Sequence, residues 1–148
     1  MQIGEVVRFQ EGQFFNGAVQ LGWVQGHPDL AQKVARSFVF HGPRYHGGAG
    51  AEQEGIEGAY RLKDTASFLR DLLGSMQAAE CGQETNPYWL AVAGYGSGKS
   101  HLSVAIAEML ADPDGETAAQ VLEQVRIADA DIGANLGERL AALGKPVL

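Results

Sequence analysis

Ala93-Gly94-Tyr95-Gly96-Ser97-Gly98-Lys99-Ser100 joins two segments of different periodicity, and its reading sets the expected fold. Immediately before it, Tyr88-Trp89-Leu90-Ala91-Val92-Ala93 is a continuous apolar run of strand length, the kind buried on both faces of a parallel sheet. Immediately after it, Leu102, Val104, Ala105, Ile106, Met109 and Leu110 read as a helix that closes at Asp112-Pro113-Asp114-Gly115. A strand, a glycine-rich bend and a helix in that order predict an α/β protein. Residues 86–148 would begin its core, and residues 1–85 would form a mixed α+β N-terminal extension.

The bend matches the Walker A pattern, with Ala93 at the position where Gly is commoner. Gly94, Gly96 and Gly98 let the backbone turn so that successive N–H groups, those of Tyr95 and Ser97 included, face an anion. Lys99 would place its ammonium near the β- and γ-phosphates, and Ser100 would offer a hydroxyl to Mg²⁺. The helix that follows points its positive dipole end at the same place. The expected ligands are therefore ATP and Mg²⁺, held by Gly94, Tyr95, Gly96, Ser97, Gly98, Lys99, Ser100 and His101, with Lys99 as the catalytic residue. His101 would sense the γ-phosphate, contact a neighbouring subunit, or pack beside the sheet. Tyr95 would serve as a lid, in packing or against the base. A dinucleotide fingerprint fails, because its third glycine would fall on Lys99.

Hydrolysis in this class also needs an acid, usually at the end of an apolar strand, to hold the magnesium shell or orient water. No run of four apolar residues followed by Asp or Glu occurs after position 100. The nearest sequence, Val125-Arg126-Ile127-Ala128-Asp129-Ala130-Asp131, is interrupted by Arg126 and fits a helix or its end at least as well. Val147-Leu148 would be the first step of another strand, and the chain reads as the front portion of a larger ATPase that is inactive by itself.

Tyr95-Gly96-Ser97-Gly98-Lys99-Ser100-His101-Leu102 resembles the Walker A region of large bacterial AAA-type ATPases, including those in phage-defence gene clusters of the BREX kind. Residues 15–20 and 38–47 are reminiscent of the N-terminal regions of such proteins. The resemblance implies ATP hydrolysis coupled to conformational change in an oligomeric machine. The Walker B, sensor and arginine-finger regions of that family are missing from the chain. Two other classes stay open: a small-molecule or nucleoside kinase, and a non-hydrolysing, nucleotide-regulated interaction module.

Working outward, residues 5–9 and 18–24 are short β-prone runs suggesting a hairpin or two extended segments. Pro28 opens a helical pattern, Leu30, Val34 and Phe38, expected to end near Phe40. Residues 41–58 read as a long glycine-rich loop. Asp64 then caps a helix with the stripe Phe68, Leu69, Leu72, Leu73 and Met76, broken at Cys81-Gly82-Gln83-Glu84-Thr85-Asn86-Pro87. Two further helices carry Ala118, Val121, Leu122 and Val125, then Ile132, Leu136, Leu140 and Leu143, and Gly144-Lys145-Pro146 stops the last.

A net charge of −7 repels polyanions, which disfavours direct nucleic-acid binding while leaving room for a local phosphate site. The expected partners are a nucleotide and other subunits, through self-association or within a larger complex. The single cysteine, Cys81, excludes an internal disulfide and has no basic neighbour that would activate it. With no secretory signal and no 18-residue apolar run, the chain reads as cytoplasmic and not membrane-bound. His41 and His46 make a poor zinc pair without a third ligand. Trp23 and Trp89 could stack on a base, with core packing favoured for Trp89. Glu52, Glu54 and Glu57 read as a solvated loop face.

Overall fold

The computed structural model describes residues 15, 17–46, 64–85, 88–90 and 96–143. Among them the architecture is all-helical: α1 (Trp23–Gly26), α2 (Pro28–Arg36), a 3₁₀ turn (Pro43–His46), α3 (Thr65–Glu80), α4 (Lys99–Ala111), α5 (Glu116–Ala128) and α6 (Ala130–Leu143). No described residue lies in a strand. The expected α/β core is therefore overturned.

The correction has a physical cause. A parallel strand needs strand neighbours, and the other described apolar segments are helical or, like Phe38-Val39-Phe40, irregular. Tyr88 and Leu90 are 82% and 84% exposed, so the expected buried strand is a surface segment where it is described. Residues 91–93 lie outside the described residues. Trp89 is also exposed, and its ring meets Phe68 edge-on at 5.6 Å instead of entering the core. Of the two β-prone N-terminal runs, residues 5–9 fall outside the described part. In the second, residues 20–24 make turn hydrogen bonds, Trp23 N–H to Gln20 O and Val24 N–H to Leu21 O, leading into α1.

The helices sit where their patterns place them, with local differences. Asp64 caps α3, its Oδ1 accepting from Ser67 N–H at 2.8 Å, a contact typically worth about 1 kcal/mol. Pro28 occupies the first turn of α2, but the helix ends at Arg36, not Phe40. There the Ser37 hydroxyl donates to Val34 O at 2.8 Å, a local bond that competes with helix continuation. Phe38 and Phe40 then stack edge-on at 4.8 Å and enter the core.

The main core gathers Leu69 and Leu73 of α3, Ala105 and Met109 of α4, Val121 and Val125 of α5, and Leu136 and Leu140 of α6. A second cluster joins Ala31 and Val34 to Val104, with Phe15, Val19, Trp23 and Val24 against it. Helix α4 lies between the two, packing on α2 through Val104 and on the larger core through Ala105 and Met109. Two glycines permit close backbone approaches. A Cβ on Gly42 would lie 2.5 Å from Ala128 O, and one on Gly133 would lie 2.7 Å from Arg126 Cα.

Candidate functional site

Gly94 and Tyr95 lie outside the described residues, so the bend is seen from Gly96 onward. Gly96 has φ +75° and Gly98 φ +84°, while Ser97 between them does not share the positive sign. Alternation of backbone handedness turns neighbouring N–H groups toward a common side, the arrangement of an anion nest. A Cβ on Gly96 would meet nothing within 4 Å, so the space beside it is open. Gly98 is the N-cap of α4, and no side chain caps the helix there. Leu102 N–H donates to Gly98 O at 2.9 Å, which makes it the first amide with an acceptor in this helix. The N–H groups of Ser100 and His101 precede it and have no acceptor within the helix.

Lys99, Ser97 and Ser100 are exposed. Lys99 Nζ donates to Ser97 Oγ at 3.4 Å, so the ammonium folds back over the bend. The Ser100 hydroxyl makes no hydrogen bond to another described residue, whereas Ser103 Oγ is engaged, donating to Lys99 O at 3.0 Å. A single loop and the first helical turn thus bring together Gly96, Ser97, Gly98, Lys99 and Ser100.

His101 faces the other way. Its Nε2 lies 2.7 Å from Val34 O and 3.2 Å from Ser37 Oγ, and its ring stands edge-on to Phe38 at 5.0 Å. With a carbonyl as acceptor, Nε2 carries the hydrogen. Burial pushes the imidazole below its ordinary pKa, partly offset by the bond to Val34, so the neutral ring is favoured. His101 therefore packs, as one of its expected roles had it, but on the end of α2 in place of a sheet.

The acid candidates near residue 129 have structural work. Asp129 ends α5, and its Oδ1 accepts from Ile132 N–H at 3.0 Å to start α6. Among the described residues, no group of three or more His, Cys, Asp or Glu is arranged to hold a metal ion. His41 is tied at the backbone, its N–H donating to Thr65 Oγ1 at 2.8 Å. The side chain of His46 and residues Glu52, Glu54 and Glu57 lie outside what is described. Cys81 is exposed.

No family model, curated protein or solved structure matches the chain. Among the described residues, no helix is long and apolar enough to cross a membrane.

Glu108 is a residue that the motif reading passes over. It is only 8% exposed, and burial raises its carboxyl above the ordinary glutamate pKa. A signal was present in the spacing, since Glu108 follows Val104 by four residues and Ala105 by three, which puts an acid on a buried helix face.

Proposed function

We propose that residues 96–101 hold the phosphates of a nucleotide, ATP in the first instance. The observation that carries this reading is the alternation of φ sign along Gly96-Ser97-Gly98 directly ahead of the helix bearing Lys99 and Ser100. The cradle is local and does not depend on a sheet, so it survives the loss of the expected α/β core. The backbone N–H groups and the dipole of α4 would face the phosphates, Lys99 would neutralise their charge, and Ser100 would be the magnesium ligand. Bound Mg²⁺ would supply charge neutralisation at the phosphates. The His101 side chain acts behind the loop by fixing α4 to α2, which leaves its backbone N–H to the phosphates.

Replacing Lys99 with Ala tests the reading by titration with a fluorescent ATP analogue. Loss of binding with unchanged helical circular dichroism is expected; retained affinity would defeat the assignment.

For a longer protein of the large bacterial AAA-type kind that residues 95–102 suggest, the reading extends to cytoplasmic ATP hydrolysis coupled to conformational change, with self-association and a phage-defence role. A second reading, nucleotide binding without turnover, is favoured by one observation: Asp129 is used as a helix cap. Phosphate release by the 148-residue chain compared with a longer chain that carries it separates them, turnover in the longer chain supporting hydrolysis and none in either supporting the binding module.

A further inference from the structure

Glu108 stands nine residues beyond Lys99 on α4, about 13.5 Å along the helix axis, so it belongs to a different place from the glycine bend. It borders a cavity of about 300 Å³ lined by Gln32, Arg36, Glu108, Asp112, Glu116 and Thr117, between the end of α2 and the start of α5. The residue is more than nine-tenths buried, and its carboxylate has no hydrogen-bond or ion-pair partner among the described residues. Among the described residues no fully buried side-chain oxygen lacks a partner, so the unpartnered carboxyl oxygens of Glu108 keep some solvent access, and the residue lines the cavity.

A carboxylate with little solvent access and no protein donor is stabilised by a proton or by a cation brought from outside. Arg36 shares the wall but forms no ion pair with Glu108. Three acids against one base leave the lining with an excess of negative charge. We propose that this cavity binds a small organic ammonium ion, with the Glu108 carboxylate as its seat.

The chemistry selects an ammonium over a metal. Divalent ions take six or more oxygens at short distance, and no group of three acids or histidines among the described residues is arranged to hold one. An ammonium instead offers three donors, which the Glu108 carboxylate, the Thr117 hydroxyl and the Gln32 amide oxygen have the chemistry to accept. The volume lies at the small end of ligand pockets, which suits a short alkyl amine.

The test is titration of the 148-residue chain with 1,4-diaminobutane in physiological salt, followed by calorimetry and by amide chemical shifts. Saturable binding is expected, weakened at least about tenfold in Glu108→Gln, which removes charge with almost no change of shape. Arg36→Gln should bind as well or better. Glu108→Gln should keep its affinity for the ATP analogue, so failure here is distinguishable from failure at the glycine bend. The proposal is overturned by no saturable binding, by equal affinity in Glu108→Gln, or by stoichiometric displacement of the diamine by Mg²⁺.

Discussion

The imidazole of His101 is bonded to the carbonyl of Val34, Nε2 to O 2.7 Å, so the first turn of α4 is fastened to the last turn of α2. The residue next to the candidate magnesium ligand therefore fixes the direction from which the helix meets the bend. His101→Ala should cost about 1 kcal/mol of stability through the lost hydrogen bond, and should also weaken binding of the ATP analogue. His101→Asn retains a donor and should recover part of both. Because burial holds the ring below its ordinary value of 6.5, the folded chain binds this proton less readily than the unfolded chain. The contribution is complete above that value and is lost as pH falls through the lower folded one. The melting temperature of the wild type should drop more between pH 7 and pH 5 than that of His101→Asn.

Gly96 and Gly98 both adopt left-handed backbone, yet their surroundings differ. A Cβ on Gly96 meets only open space, and one on Gly98 comes no nearer than 3.8 Å, to the Phe38 ring. Alanine at either position is thus penalised by backbone strain alone, about 1 kcal/mol, with no clash to add. Both variants should stay folded by circular dichroism while losing most of their affinity for the ATP analogue, since relief of the strain turns the amides away. A folded variant with full affinity would count against the nest.

The elements legible in the sequence were those specified by local chemistry. Asp64 announces α3 because its carboxylate satisfies an otherwise orphaned N–H, and Gly98 starts α4 because the left-handed turn there suits glycine. The bend from Gly96 to Ser100 was readable for the same reason. Tyr88–Leu90 was misread because a continuous apolar run says nothing about whether neighbours exist to cover it. The end of α2 was missed by four residues, because the Ser37 hydroxyl captures Val34 O at a position that the repeat Leu30, Val34, Phe38 runs straight through. The cavity at Glu108 depends on how α2, α4 and α5 meet, and no local pattern carries that information.

Glu108 should make the protein more sensitive to rising pH. Its carboxyl is held above the ordinary 4.5 by burial, so the folded chain binds that proton more readily than the unfolded chain. Its favourable contribution is present below 4.5 and is lost as pH rises through the folded value. Glu108→Gln does not titrate and should be the more stable protein at pH 7, with a higher melting temperature than the wild type. The gap between variant and wild type should narrow as pH is lowered to 4. Thermal unfolding of both across that range reads the sign directly, and a gap independent of pH would show that the carboxyl is not titrating in this window.

Gly133 and Gly137 lie one turn apart on α6 and should respond to alanine in opposite directions. At Gly133 the new Cβ would be 2.7 Å from Arg126 Cα and 2.9 Å from Arg126 N, and these backbone atoms cannot yield unless α5 and α6 separate. That separation would loosen Val125 and Leu136, both fully buried, so Gly133→Ala should lose about 3 kcal/mol. At Gly137 the nearest heavy atom is Arg126 Nη2 at 3.5 Å, an ordinary contact with the end of a flexible side chain. Here the helix gains the propensity of alanine over glycine, about 0.8–1.0 kcal/mol, with no steric penalty. Urea unfolding of the two variants checks the pair. The expected order of midpoints is Gly137→Ala above wild type and wild type above Gly133→Ala, and any other order would contradict the close crossing of α5 on α6.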